Sequence, residues 1–166
     1  MKNGAWDRRV RGTIGGNIIN YDGPTSARTA EMEVVRSLLC SVLADNADFM
    51  AVDIADYYLN TPLERPEYMR MTRKQVSQAI IDEYGYEDYF INDMLYFQVN
   101  KGMYGLPQAG LLAQNRLIAH IAKHGYTQSD VVPCLFRHAT NGVTFVLVVP
   151  CLFSHATNYI TSYCFI

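Results

Sequence analysis

Residues 49–62, FMAVDIADYYLNTP, constrain this chain more than any other stretch. An apolar run, Phe49, Met50, Ala51 and Val52, ends in a carboxylate, Asp53. Asp56, Tyr57 and Tyr58 follow at once. A short apolar run of this kind predicts a buried strand. A buried strand that delivers an Asp at its C-terminal end is how α/β folds hold metals and phosphates. A carboxylate so close to a core is costly unless it is paired or bound to a cation. The segment therefore reads first as the floor of a metal site, and one Asp there needs a partner.

With 166 residues, 49% of them hydrophobic, the chain has enough apolar surface for one ordinary domain with a real core. Its net charge of -2 excludes a global basic field of the kind that announces nucleic-acid binding. Positive charge is local, at Arg8, Arg9 and Arg11, and such a cluster by itself reads as solvated surface. Cys40, Cys134, Cys151 and Cys164 show no zinc spacing, which predicts reduced thiols and an intracellular setting, with Cys40 a small buried side chain of a helix. The N-terminus lacks the apolar core of a signal peptide. The longest apolar stretch, 143–153, is interrupted by Thr144 and Pro150 and is shorter than the roughly 20 residues that span a bilayer. No membrane partner is expected.

Element signals follow one another along the chain. Residues 8–21 read as a short extended hairpin, and Pro24 with Thr25 opens a helix. Val34, Val35, Leu38, Leu39, Val42 and Leu43 form its apolar face, and Asn46 ends it. A strand over 49–53 leads into an irregular turn to Asn60. Pro62 and Pro66 flank a loop before a strand over 68–71. Thr72 and Gln75 form a capping box for a second helix that turns Val76, Ile80 and Ile81 inward and stops at Gly85. A strand over 94–99 precedes the punctuated turn KGMYGLPQAG, 101–110. A third helix over 108–124 follows, with Leu111, Leu112, Ile118 and Ile121 inward. Residues 135–149 read as a hairpin with Asn141-Gly142 as its two-residue turn. The order predicts an α+β fold: an antiparallel sheet with helices packed mainly on one face. No linker divides it.

One internal repeat is present. PCLFRHATNGVTFVLVV, 133–149, and PCLFSHATNYITSYCFI, 150–166, agree at 9 of 17 positions. A single duplication is too little for a solenoid, so it reads as an accident of sequence rather than as architecture.

Together, Asp53 and the glycine-proline turn resemble the reverse transcriptase domain of copia-type (Ty1-like) retrotransposons. VDIADYYLNTP is similar to that family's first metal-binding motif, and VNKGMYGLPQAG to its motif around a Leu-Pro-Gln turn. RVRGTIGG and PLERPEYMRM fit the fingers and the segment leading on into the palm. The resemblance runs over about residues 8–149. It implies the fingers and partial palm of an RNA-directed DNA polymerase, with Mg²⁺, an RNA/DNA template-primer and dNTP as partners. Nucleotidyl transfer of this kind uses two divalent ions about 3.5–4 Å apart. Asp53 is then the catalytic metal ligand, joined by the Ile54 carbonyl. Tyr58 lies under the incoming sugar and excludes a 2′-hydroxyl, and Asp56 lies near the triphosphate. Gln108 touches the nucleotide from the far side, while Arg9 and Arg11 hold phosphate oxygens.

Each residue also has a plainer role open to it. Asp56 and Asn60 suit helix caps, Tyr57 and Tyr58 core aromatics with surface hydroxyls, Gln108 a first-turn position, and Arg9 and Arg11 surface charge. His120 and His124, at i and i+4, have metal-ligand spacing but lack the HExxH glutamate.

The chain departs from the family where the second acid motif belongs. A pair of Asp residues is due directly after the apolar strand 145–149. Pro150 and Cys151 stand there instead, and no Asp or Glu follows Asp130. One carboxylate cannot hold two Mg²⁺ ions that demand near-octahedral oxygen shells. The sequence therefore predicts a fragment with residues 1–149 as fingers and palm, short of a thumb and of a ribonuclease H domain. Residues 150–166 form an aberrant tail that duplicates 133–149, and the fragment is inactive as a polymerase. Pro150 breaks the ladder, and the tail either fills the missing strand's place or stays an exposed edge. The alternatives are a non-catalytic nucleic-acid- or protein-binding remnant and, last, a small metal-dependent hydrolase using Asp53 and Asp56.

Overall fold

The computed structural model describes residues 12–148 and, for the backbone alone, residues 151–156. Three helices and two small antiparallel sheets make up this part of the chain, a mixed α/β architecture compatible with α+β. The helices are α1 (Met32–Ala44), α2 (Gln78–Tyr84) and α3 (Ala109–Ala122). The larger sheet runs β1 (Asp48–Asp53), β7 (Cys151–Ala156), β6 (Thr144–Val148), β5 (Leu135–His138), β4 (Tyr126–Gln128). The smaller pairs β2 (Pro62–Thr72) with β3 (Met94–Lys101). The single sheet expected from sequence is thus two.

The main core lies around β6. Val146 and Leu147 are both fully buried, and as consecutive strand residues they point to opposite faces. Both faces of β6 are therefore covered, not one. Val35 and Leu38 of α1, Phe136 of β5 and Phe145 join this cluster, with Leu117, Ile118 and Ile121 of α3 packed against it. The Phe136 and Phe145 rings stack 4.9 Å apart.

Helix α1 begins at Met32, later than Pro24 and Thr25 suggest. The reason is a tether. Gln114 of α3 accepts from the Arg28 amide at 2.9 Å and donates back to the Arg28 carbonyl, and the Ala30 amide donates to the Leu147 carbonyl. Backbone groups spent across the fold cannot serve a helix. Asn46, at φ 47°, follows the end of α1 as expected. Cys40 is exposed on α1, against the expectation, whereas Cys134 is buried.

The second helix starts one turn later than its predicted cap. Gln75 reaches back to the Thr72 amide at 2.8 Å, but this closes a 3₁₀ turn over Arg73–Gln75. Ser77 caps α2 itself by accepting from the Ile80 amide, and Gly85 ends it at φ 64°. That shift of phase buries Ile81 at 2% exposure, with Val76 and Leu95, and leaves Ile80 at 44%. Pro62 and Pro66 lie within β2, where the register with β3 shifts between Pro62 and Glu67, a position that accommodates the missing amide donors. The described part of the predicted N-terminal hairpin is instead a 3₁₀ turn, Gly16–Ile18, and an isolated parallel bridge from Thr13 to Tyr104.

Two expectations about the repeat change. The loop between β5 and β6 is longer than Asn141-Gly142, since Arg137 pairs with Thr144 and the His138 amide donates to Val143. The second copy is architectural: its CLFSHA forms β7, between β1 and β6. The corresponding strands of the two copies, β5 and β7, flank β6 on either side, offset by one residue, with Phe136 opposite Phe145 and Phe153 opposite Val146. Among the described residues, no helix is long and apolar enough to cross a membrane.

Candidate functional site

Asp53 closes β1, and β1 is the edge of the larger sheet rather than a buried strand. Only Val52 is half-buried; Asp53 itself is exposed. A strand with one neighbour has less cover than the apolar run implied, and the desolvation that would demand a cation at Asp53 is absent. The register carries more information. Asp53 pairs with Cys151, and Cys151 also pairs with Val148 across the β6–β7 hairpin. The end of β6 at Val148 and the start of β7 at Cys151 therefore lie at the end of the sheet where β1 presents Asp53.

After Ile54, which is half-buried, the chain makes a tight turn. Asp56 adopts φ 51° and is exposed, and its carbonyl accepts from the Asn60 amide at 3.0 Å. Neither residue caps a helix. Thr61 is buried, donates through its hydroxyl to the Tyr57 carbonyl and accepts the Gly102 amide at 2.7 Å. Arg116 of α3 donates to the Asn60 carbonyl. The turn is thus fixed to α3 and to residues 101–110.

The two motifs that carry the family resemblance meet at Tyr58. Its ring lies edge-on to Tyr104 at 5.4 Å and tilted against Tyr57 at 5.4 Å. A side chain at Gly102 would press a Cβ to 2.5 Å from the Tyr58 carbonyl oxygen. One at Gly105, where φ is 94°, would collide with the Ile14 carbonyl. Only glycine lets 101–110 lie this close to both the turn after β1 and the segment 13–16. The Ile14 amide donates to the Tyr104 carbonyl at 2.8 Å.

Tyr57 is a core aromatic, but its hydroxyl is buried without a hydrogen-bond partner rather than at the surface. Burial, then the neighbouring Tyr58 and Cys134, pushes its phenol well above the usual tyrosine range. Burial likewise raises the Cys134 thiol, against a smaller opposing effect of the Gln114 hydrogen bond.

Gln108 precedes α3 and is 2% exposed, so it is not a surface first-turn residue. Its Nε2 donates to Glu67 Oε1 at 3.0 Å, its Oε1 has no partner, and Arg65 reaches the same Glu67 oxygen at 3.3 Å. Gln108 and Arg65 line a cleft of about 200 Å³ together with Tyr21, Asp22, Leu63 and Leu112 among others. Asp53, Asp56 and Tyr58 do not line it. The structure thus joins Tyr58 to the glycine-rich turn and ties Gln108 to Glu67. Arg9 and Arg11 lie outside the described residues.

Among the described residues, no group of three or more His, Cys, Asp or Glu side chains could hold a metal ion. Asp53 with the Ile54 carbonyl does not make the oxygen shell that Mg²⁺ requires. The rings of His120, on α3, and His124, just past its end, are exposed and lie 4.9 Å apart, and they belong to no group of three or more such side chains among the described residues.

Sequence reading missed Glu67, Gln114 and Tyr104. Gln114 had a signal: a polar residue in line with apolar helix positions that proved to face the core. Glu67 had none, because only folding brings β2 to the start of α3.

Comparison with family models, with curated proteins and with solved structures gives no match to this chain.

Proposed function

We propose that the chain is the fingers and partial palm of a copia-type reverse transcriptase whose metal site is half present, so that it does not polymerise DNA as it stands. One observation supports this reading: β7 pairs Cys151 with Asp53 of β1 and with Val148 of β6, and the sequence 149–151, where the resemblance expects carboxylates, holds none. The contact of the Asp53 motif with the KGMYGLPQAG turn through Tyr58 supports the same assignment. In it, Mg²⁺ would supply charge neutralisation at the transferred phosphate, and Asp53 alone is an insufficient ligand set. Template-primer and dNTP are the inherited partners, with Tyr58 under the sugar and Asp56 near the triphosphate. Gln108, held by Glu67, would act as a support for the turn.

Loss of metal-bound charge stabilisation is worth several kcal/mol, or several powers of ten in rate. Primer extension on an RNA template with Mg²⁺ or Mn²⁺ should therefore give no product above an Asp53→Asn control. Template-dependent extension that the Asp53→Asn change abolishes would refute the inactive half-site.

The second reading, a remnant that binds without catalysis, is favoured by the lack of a metal-holding cluster among the described residues together with an intact pair of sheets.

A further inference from the structure

The outer face of the β2–β3 sheet carries two exposed tyrosines beside one arginine. Its inner face packs Met71, Leu95 and Phe97 against Val76 and Ile81. Alternation then sends Tyr68, Arg70, Tyr96, Gln98 and Asn100 to the other side, and all five are exposed. Tyr68 is 74% exposed and Tyr96 56%. Tyr68 lies opposite Gln98 and Arg70 opposite Tyr96, so the four side chains form a square with the tyrosines on its diagonal. Diagonal neighbours on a sheet lie about 7–8 Å apart. No Asp or Glu occurs in 68–72 or in 94–100, although the chain as a whole is acidic. Gln98 and Asn100 add an amide pair, joined at 2.7 Å.

We propose that this face binds single-stranded nucleic acid, with Tyr68 and Tyr96 stacking on neighbouring bases and Arg70 between them taking a phosphate. The proposal goes beyond the half-site reading and shares none of its residues. Stacking on tyrosine is indifferent to base identity, and residues 68–72 and 94–100, which make up this face, carry no carboxylate to repel the backbone. A lone cation on an acidic chain makes the affinity modest and dependent mainly on the rings. The chemistry is shared by RNA and DNA, since neither stacking nor the phosphate contact reads a 2′-hydroxyl.

The test is fluorescence anisotropy of the full chain with oligothymidylate and oligouridylate of about 20 nucleotides, beside an abasic strand of equal charge. Both base-bearing strands should bind, and the abasic strand should bind at least about tenfold more weakly, as expected when two stacked bases are lost. Tyr68→Ala and Tyr96→Ala should each weaken binding by about fivefold or more, and Tyr68→Phe should not. Arg70→Ala should reduce the slope of log affinity against log salt by about 0.7. All of these sites are exposed, so unchanged melting curves confirm that the variants fold. Binding to one base-bearing strand only would limit the proposal to that polymer. Equal binding of the abasic strand, or tyrosine variants that bind as well as the parent, overturns it. So does concentration-dependent self-association that Tyr68→Ala removes while no strand binds, because the face would then be a protein interface. None of these outcomes bears on Asp53, which is tested separately by metal binding.

Discussion

Tyr57 shows how a single side chain can work against the fold that holds it. Its hydroxyl is buried with no partner, and a buried unmade hydrogen bond costs about 1–3 kcal/mol. Tyr57→Phe should therefore be neutral or stabilising by about 1 kcal/mol in urea unfolding at neutral pH. The pH dependence follows from the raised phenol. At neutral pH both states keep the proton. Above the ordinary tyrosine pKa, about 10, the unfolded chain releases it while the folded chain retains it, so stability falls as pH rises. The Phe variant should lose up to about 1.4 kcal/mol less per pH unit in that range. A parallel alkaline profile for both proteins would mean that Tyr57 is not held neutral. At this scale the sequence was informative about residue type and poor about environment. Tyr57 was legible as a core aromatic, but the fate of its hydroxyl depended on Cys134 and Tyr58 around it. Gln108 was misplaced as a surface residue, because its partner Glu67 is 41 positions away.

Among the elements, α2 separates what periodicity specifies from what capping specifies. Val76 and Ile81 were recognisable as inward positions, but the Thr72–Gln75 box closed a 3₁₀ turn and moved the helix onto Ser77. Ile81 is then sealed against Leu95 while Ile80 faces solvent. Ile81→Ala should cost about 2–5 kcal/mol, the range for a large-to-small change in a core, and Ile80→Ala under about 0.5 kcal/mol. Denaturant titration of the two variants checks this, and equal losses would place both side chains in the core. Strand β1 shows the converse. Its apolar run was correctly read as a strand, but the same run says nothing about how many neighbours it has, and it lies at an edge. Burial inferred from composition fails when the covering partner comes from a distant segment.

For the whole molecule, the decisive event is that the duplicated segment supplies the strand between β1 and β6. Its first half repeats the LF-H pattern of β5 and takes the corresponding place on the other side of β6, one residue out of step. The sequence left open whether the tail fills a strand's place or stays an exposed edge, and the described part of it fills one; the repeat itself did not show that β5 and β7 share β6 as partner. From Cys151 on, β7 pairs with both β1 and β6. The consequence for function is geometric. On the proposed reading, β7 sets Cys151 opposite Asp53, where the resemblance expects a carboxylate.

The most direct measurement is therefore Mn²⁺ binding, by electron paramagnetic resonance, to the parent chain and to a Pro150→Asp, Cys151→Asp variant. A Pro150→Asn, Cys151→Asn variant serves as the uncharged control. The carboxylates at 150 and 151 should tighten Mn²⁺ binding by at least about tenfold over both parent and control, and adding Asp53→Asn should reverse the gain. Carboxylates at 150 and 151 that bind no more Mn²⁺ than the asparagine control, or a gain indifferent to Asp53, would show that this hairpin is not the other half of the site.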